Sequence, residues 1–298
     1  MGVLMPLSVR NLMPIFALLL SAGLHAAETQ ESSELRFAPL PLEDRKIIHE
    51  QFQGFTNYLS DSVKQPFNWV YLTDYADIIE QFSQEQIDLA YLGPLPYVIL
   101  KRQFPDAEPL ACFREADGSP SYTCSLVSYG GSGLALENLK GVHIGLTQPY
   151  STCGYLAVTQ MLGRAGLALD RDGNRFTYAG SHSAAALGVA QGKYDVAGVK
   201  TVIAERYAHL DLTSVATSSH FPGFTLVANS RTVPAETIAA LRQALLELDP
   251  SGKPAHKKLM ASWGKHIRNG AVAAEQCDYS GVDGTLDSLP WPIPGAQP

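Results

Sequence analysis

Basic residues are scarce in this chain. Its 298 residues hold 22 Lys and Arg against 29 Asp and Glu, a formal net charge of −7 at pH 7, which argues against a nucleic-acid partner. The deficit does not argue against a small anionic ligand, because a cleft holds such an ion by nearby amide dipoles and hydroxyls more than by the distant total. Long apolar runs are missing too. The run at residues 12–20 is roughly half of what spans a bilayer, and no later stretch reaches spanning length. Set between Arg10 and the small residues Ala22, Gly23, Ala26 and Ala27, it has the layout of a cleavable signal peptide over residues 1–27. No cysteine follows the run directly, which speaks against lipoprotein attachment.

Catalytic signatures are absent as well. The sequence has no Gly-x-Ser-x-Gly elbow, no P-loop and no Gly-x-Gly-x-x-Gly, and its histidines lack zinc-ligand spacing. Binding without chemistry is the reading left, with no metal or cofactor expected. The four cysteines, Cys112, Cys124, Cys153 and Cys277, all follow the export label, in a compartment that permits disulfides. Cys112 and Cys124 flank Gly118-Ser119-Pro120, a turn between two strand-like runs, where a hairpin sets them face to face. Cys153 and Cys277 carry no such argument; a bridge between them is the remaining pairing.

What the chain does have is an alternation of strand-like and helix-like segments. Residues 35–41 read as a strand, and Ile48, Phe52, Phe55 and Leu59 then recur at helical spacing. The order repeats with a strand at 67–71, a helix at 75–82, a strand at 87–92 ending in Gly93-Pro94, and a short helix at 97–102. Beyond the turn come strands at 142–147, 176–178, 196–199 and 212–216 with helices at 154–165 and 184–191, then a strand at 225–228 and a helix at 235–248. Such alternation implies mostly parallel sheets covered on both faces. The length suits two α/β lobes joined near residues 120–125 and 222–230. The expected division is 28–122 with 229–288 in the first lobe and 123–228 in the second. The Pro-rich end, residues 289–298, reads as a frayed tail.

Three segments carry candidate site residues. Gln148-Pro149-Tyr150-Ser151-Thr152-Cys153-Gly154 stands between a predicted strand and a predicted helix, so backbone N–H groups and the hydroxyls of Ser151 and Thr152 converge at a helix start. That arrangement cradles an anion, or is an ordinary cap, since Ser and Thr are preferred there anyway. Ser181-His182-Ser183 opens the next helix, where the imidazole either caps or donates to an anion, most strongly when protonated. Asp88 to Pro94 ends a strand at the crevice edge where open sheets bind ligands, or is simply a turn.

Taken together, these segments resemble the phosphate/phosphite/phosphonate-binding family of periplasmic proteins that serve ABC importers, across roughly residues 35–250. The matching stretches are Asp74-Tyr75-Ala76-Asp77-Ile78-Ile79, residues 88–96, Ala116-Asp117-Gly118-Ser119-Pro120-Ser121-Tyr122, residues 151–154, and Ser181-His182 leading to Gln191-Gly192. The resemblance implies an α/β fold of the type II periplasmic binding-protein kind, with ligand clamped between lobes that close about a two-strand hinge. It also implies a periplasmic monomer, a small oxyanion ligand, and an ABC permease or a sensor kinase of the inner membrane as partner. Carried over by motif, the phosphoryl oxygens meet Ser151, Thr152, His182 and Tyr122, with Cys153 and Gly154 completing the helix start and Tyr91 at the strand end.

The chain departs from the pattern in three places. Cys153 stands where a third hydroxyl is usual, and Tyr91-Leu92 stand where some aminophosphonate binders have Trp and Tyr. The carboxylates that hold the amine in those binders align near Val202 and Phe224, so an aminoalkyl ligand is disfavoured. Lys200, in the same region, either adds positive charge to the cleft or is solvated. Cys153 is either a small buried residue or a soft thiol ligand for a trivalent arsenic oxyanion in a sensor, with Cys124 as the alternative thiol.

Overall fold

The computed structural model describes residues 1–3, 34–290 and 292–295. All but the first three residues of the expected signal peptide lie outside these. Among the described residues no helix is long and apolar enough to cross a membrane.

The first half of the chain runs β1 (Leu35–Pro39), α1 (Arg45–Val63), β2 (Phe67–Trp69), α2 (Tyr75–Ser83), β3 (Leu89–Leu92), α3 (Pro94–Gln103) and β4 (Ala107–Phe113). Helix α1 forms where the sequence pattern placed it. Ile48, Phe52, Phe55 and Leu59 are all buried on its inner face, and it stops where Lys64 turns left-handed. Asp74 caps α2 by accepting the Ala76 N–H at 2.7 Å. Every residue of β3 is buried, as the continuous apolar run of a central strand requires.

The chain then crosses to a second lobe through β5 (Ser121–Tyr122). There it builds β6 (Cys124–Tyr129), β7 (His143–Leu146), a π-helical turn (Thr152–Ala157) continuing into α4 (Val158–Arg164), β8 (Arg175–Tyr178), α5 (His182–Ala190), β9 (Val196–Lys200), α6 (Thr201–Arg206) and β10 (Leu212–Thr217). It returns through β11 (Phe221–Pro222) to β12 (Thr225–Asn229), α7 (Ala235–Glu247), α8 (Pro254–Leu259), β13 (Ala271–Ala273) and α9 (Ser280–Leu286).

The strands form a six-stranded sheet, β13-β4-β12-β3-β1-β2, a five-stranded sheet, β10-β6-β9-β7-β8, and between them the two-stranded ribbon β11-β5. Tyr122 pairs with Phe221 and Ser121 with Pro222 in that ribbon, through which the chain passes in both directions. Both sheets are mixed rather than mostly parallel, because β12 and β6, each leaving the ribbon, run antiparallel to their neighbours. Strand β12, expected in the second lobe, lies in the first sheet between β3 and β4.

The cysteines pair in a way the sequence did not suggest. Cys112 bonds Cys277 and Cys124 bonds Cys153, with Cα–Cα distances of 6.4 and 5.1 Å. No hairpin joins Cys112 to Cys124, because β4 and β6 belong to different sheets with the ribbon strand β5 between them. Cys112 instead lies opposite Val272 of β13, and the chain leaving that strand carries Cys277 to it. The end of the chain also differs from expectation. Ile293 is fully buried, the Tyr178 hydroxyl donates to the Pro294 carbonyl at 2.6 Å, and Gly295, at φ +78°, lies so close to the Tyr178 ring that a Cβ would stand 2.7 Å from it.

Candidate functional site

Between the lobes lies a small cavity lined by Tyr75, Tyr122, Ser151, Thr152, His182 and Lys200, with Phe224 and Leu42 among its apolar walls. Its volume is about 10 Å³, close to what a single water needs. Entry of anything larger therefore requires the lobes to part.

The second lobe supplies most of the polar lining. Ser151 caps the π-turn, its Oγ accepting the Gly154 N–H at 3.0 Å, which leaves its own proton free to donate. The N–H groups of Thr152 and Cys153, first in the turn, have no carbonyl four residues back within it. The Ser151 carbonyl accepts from both Tyr155 and Leu156, and this widening makes the turn π-helical, a form common at functional sites. Gly154 has to be glycine, since a Cβ there would fall 2.0 Å from Thr147 Oγ1. The backbone thus packs directly onto the end of β7.

Thr152 joins the lobes. Its Oγ1 accepts the Leu95 N–H, from the first turn of α3, at 3.0 Å. Further contacts cross between the lobes, among them Lys200 Nζ to Glu115 at 2.6 Å, Arg206 to Glu43 at 3.6 Å, the Ser183 hydroxyl donating to Glu43 at 3.5 Å and Gln148 Nε2 donating to the Thr73 carbonyl at 3.4 Å. Lys200 is buried at the end of β9, 4.5 Å over the Tyr122 ring and 5.2 Å over Phe224. Burial pulls its pKa down and the Glu115 carboxylate opposes that. Among the described residues no group of His, Cys, Asp and Glu is arranged to hold a metal ion.

Two lobes with the chain crossing twice between them, and hydroxyls, an imidazole and a lysine converging at their junction, suit the capture of a small anion. The chain matches the model of the ABC-transporter phosphonate periplasmic substrate-binding protein over residues 37–279. It belongs to this family. Such proteins are transport components rather than enzymes.

A curated relative, the phosphate-import protein PhnD of Mycolicibacterium smegmatis, is 25% identical over 174 residues, 54% of this chain and 53% of that protein. The chain thus spans about half the length of the curated relative it matches. PhnD1 of Prochlorococcus marinus, solved with methylphosphonate, superposes with a TM-score of 0.74 at 18% identity, covering 87% of this chain and 98% of the other. The binding component of a Pseudomonas aeruginosa ABC phosphonate transporter gives 0.72 at 21%, covering 88% and 92%. The fold is that of the type II periplasmic binding proteins.

Within this family member, most of the residues singled out in the sequence line one cavity, and five do not act as read. Tyr91 is fully buried behind the cavity, stacked on Phe224 at 5.3 Å, with its hydroxyl donating to the His266 carbonyl. Alternation along β3 turns that ring into the first lobe. Gly154 contributes close packing and a donor to Ser151 rather than a wall. Asp88 is a structural ion-pair partner: Arg36 grips it through its backbone N–H and guanidinium, and Thr232 donates to it at 2.6 Å. Burial pushes its pKa up, but these bonds hold it below the usual carboxylate range. Cys153 lines the cavity, yet its sulfur is bonded to Cys124 and the chain has no free cysteine, so the thiolate reading fails and arsenite binding with it.

His182 also departs from the reading that protonation would strengthen it. The Lys200 N–H donates to His182 Nδ1 at 3.2 Å, so the neutral ring carries its proton on Nε2. Burial and then the Lys200 charge lower its pKa to about 4. It is therefore a neutral donor at physiological pH, and its affinity for a ligand of fixed charge is flat from about pH 5.5 to 8. A second histidine behaves alike: burial, then Lys200 and Arg206, lower His266 to about 3.

Both shifts make the fold acid-labile. Below the unfolded value of about 6.5 the unfolded chain takes up protons that the folded chain refuses, so stability is lost as pH falls from there toward 4. Each histidine steepens the loss by about 1.4 kcal/mol per pH unit at most. Urea unfolding at stepped pH checks this, and His182→Gln and His266→Gln should each flatten the profile. A parent whose stability is constant from pH 6.5 to 4 contradicts it.

Sequence reading missed Tyr75, Phe224 and Glu115. Tyr75 follows the cap residue Asp74, and nothing in its local sequence points it into the cavity. Glu115 immediately precedes the Ala116-Asp117-Gly118 turn, and nothing local says that it reaches Lys200.

Proposed function

We propose that this protein captures a small phosphorus oxyanion, a phosphonate, phosphite or phosphate, between its lobes in the periplasm and delivers it to an inner-membrane ABC permease. The observation that carries the reading is the donor set. Ser151, Thr152, His182 and Lys200 line one cavity, and the two carboxylates near them, Glu115 and Glu43, are paired with Lys200 and Arg206. An oxyanion has acceptors for all four. Tyr122, on the ribbon strand, is placed to close over it.

A thermal-shift panel on the ligand-stripped protein tests this. A ligand at a hundredfold excess over its dissociation constant adds about 2.7 kcal/mol, which raises the midpoint of a chain this size by roughly 5–10 °C. Methylphosphonate, phosphite or phosphate should give such a shift. If none does while an amino acid or sugar does, the reading is wrong.

A further inference from the structure

Next to the small cavity is a larger chamber of about 400 Å³ that shares His182, Lys200 and Phe224 with it. This volume falls within the range of small-molecule sites. Any substituent on an oxyanion held by Ser151 and Thr152 has this chamber as its room.

The chamber is charged unevenly. Lys200, Arg206, Lys265 and Arg268 line it against two carboxylates, Glu43 and Glu115. Both carboxylates are taken, Glu115 by Lys200 at 2.6 Å and Glu43 by Arg206 at 3.6 Å. Lys265 and Arg268 have no carboxylate partner among the described residues. The floor is Trp263, buried against Phe55, and His266, whose Nε2 is buried without a hydrogen-bond partner among the described residues. The low pKa of His266 has Lys200 and Arg206 among its causes, which marks the potential there as positive. Lys265, His266 and Arg268 belong to the first lobe and Ser151 and Thr152 to the second, and the two cavities they line meet at His182, Lys200 and Phe224.

We propose that this chamber is a second anion site, and that the ligand is an organophosphonate bearing a carboxylate, its phosphoryl group on the second lobe and its carboxylate on Lys265, Arg268 and His266 of the first. Such a ligand engages both lobes through its own two ends. The inference rests on the oxyanion reading above. An ammonium substituent would meet the same uncompensated positive charge and be repelled.

Titration calorimetry with methylphosphonate, phosphonoacetate and 2-aminoethylphosphonate separates the two claims. Phosphonoacetate should bind at least tenfold tighter than methylphosphonate, with 2-aminoethylphosphonate weakest. Lys265→Gln with Arg268→Gln should bring the phosphonoacetate-to-methylphosphonate ratio close to one, and Lys265→Glu with Arg268→Glu should favour 2-aminoethylphosphonate. Both side chains are exposed at the chamber rim, so the variants are expected to fold. Equal affinity for methylphosphonate and phosphonoacetate in the parent overturns the chamber assignment and leaves the oxyanion site standing. A parent preference that survives the Gln variant overturns it too. Binding of none of the three overturns the chamber assignment, and if phosphite and phosphate also fail to bind, the oxyanion reading falls with it.

Discussion

Ser151→Ala combined with Thr152→Ala weakens methylphosphonate binding by roughly 10²- to 10⁴-fold, since each hydroxyl bond to an anion is worth about 1.5–3 kcal/mol and each 1.4 kcal/mol is tenfold. The same change also touches the fold. Ser151 caps the π-turn through Gly154, and losing a cap costs about 0.5–2 kcal/mol. Thr152 satisfies the Leu95 N–H across the lobes, and leaving that donor buried and unpaired costs about 1–3 kcal/mol. Affinity must therefore be measured well below the melting midpoint of the variant. Thr152→Ser retains the hydroxyl and should recover most of the binding. Unchanged calorimetric affinity in a folded double variant would place the oxyanion elsewhere.

Loss of the disulfides has the largest effect on stability. The Cys112–Cys277 bridge closes a loop with a sequence separation of 165, and that of Cys124–Cys153 is 29. Loop-closure entropy then predicts a loss of about 5 kcal/mol for Cys112→Ala with Cys277→Ala and about 3–4 kcal/mol for Cys124→Ala with Cys153→Ala. The second pair differs in kind. Its bridge ties the third residue of the cradle to the first of β6, so its removal should lower oxyanion affinity as well, whereas the first should not. Urea unfolding of the two paired variants, together with a thiol count on the unfolded, unreduced parent, checks both. A count of zero is expected; two or four free thiols would show that one or both bridges are absent.

The sequence made the alternation of elements legible because local pattern decides it. The Ile48-Phe52-Phe55-Leu59 stripe and the apolar run into Gly93-Pro94 each specify their element without outside help. Near the first crossing, Gly118-Ser119-Pro120 interrupts the pattern. What could not be read was whatever depends on neighbours distant in sequence. Cys112 meets Cys277 only because β13 adds to the edge of the first sheet beside β4. β12 looked like one more strand of the second lobe, yet β11 had already carried the chain back.

The site follows the same division. Ser151, Thr152 and His182 were found because helix starts have their own composition. Lys200 and Glu115 were not paired in advance, since 85 positions separate them. The charge state of His182 depends on its burial and on the Lys200 charge 18 positions away, neither of which shows in the local sequence.

The last residues described have a mechanical consequence. The hinge strands enter the second sheet through β6 and β10, at one edge, whereas Tyr178, which holds Pro294, ends β8 at the opposite edge. Rotation about the ribbon displaces that far edge most. The chain end therefore acts as a tether: for the lobes to open widely, the Tyr178–Pro294 bond breaks or the tether swings with the moving lobe. Burying Ile293 contributes about 1.5–3 kcal/mol and the hydrogen bond about 1 kcal/mol. If opening uncovers both, the open form is suppressed roughly a hundred- to a thousandfold, and the escape rate of a bound anion then depends on a latch on the far side of the molecule from its hinge.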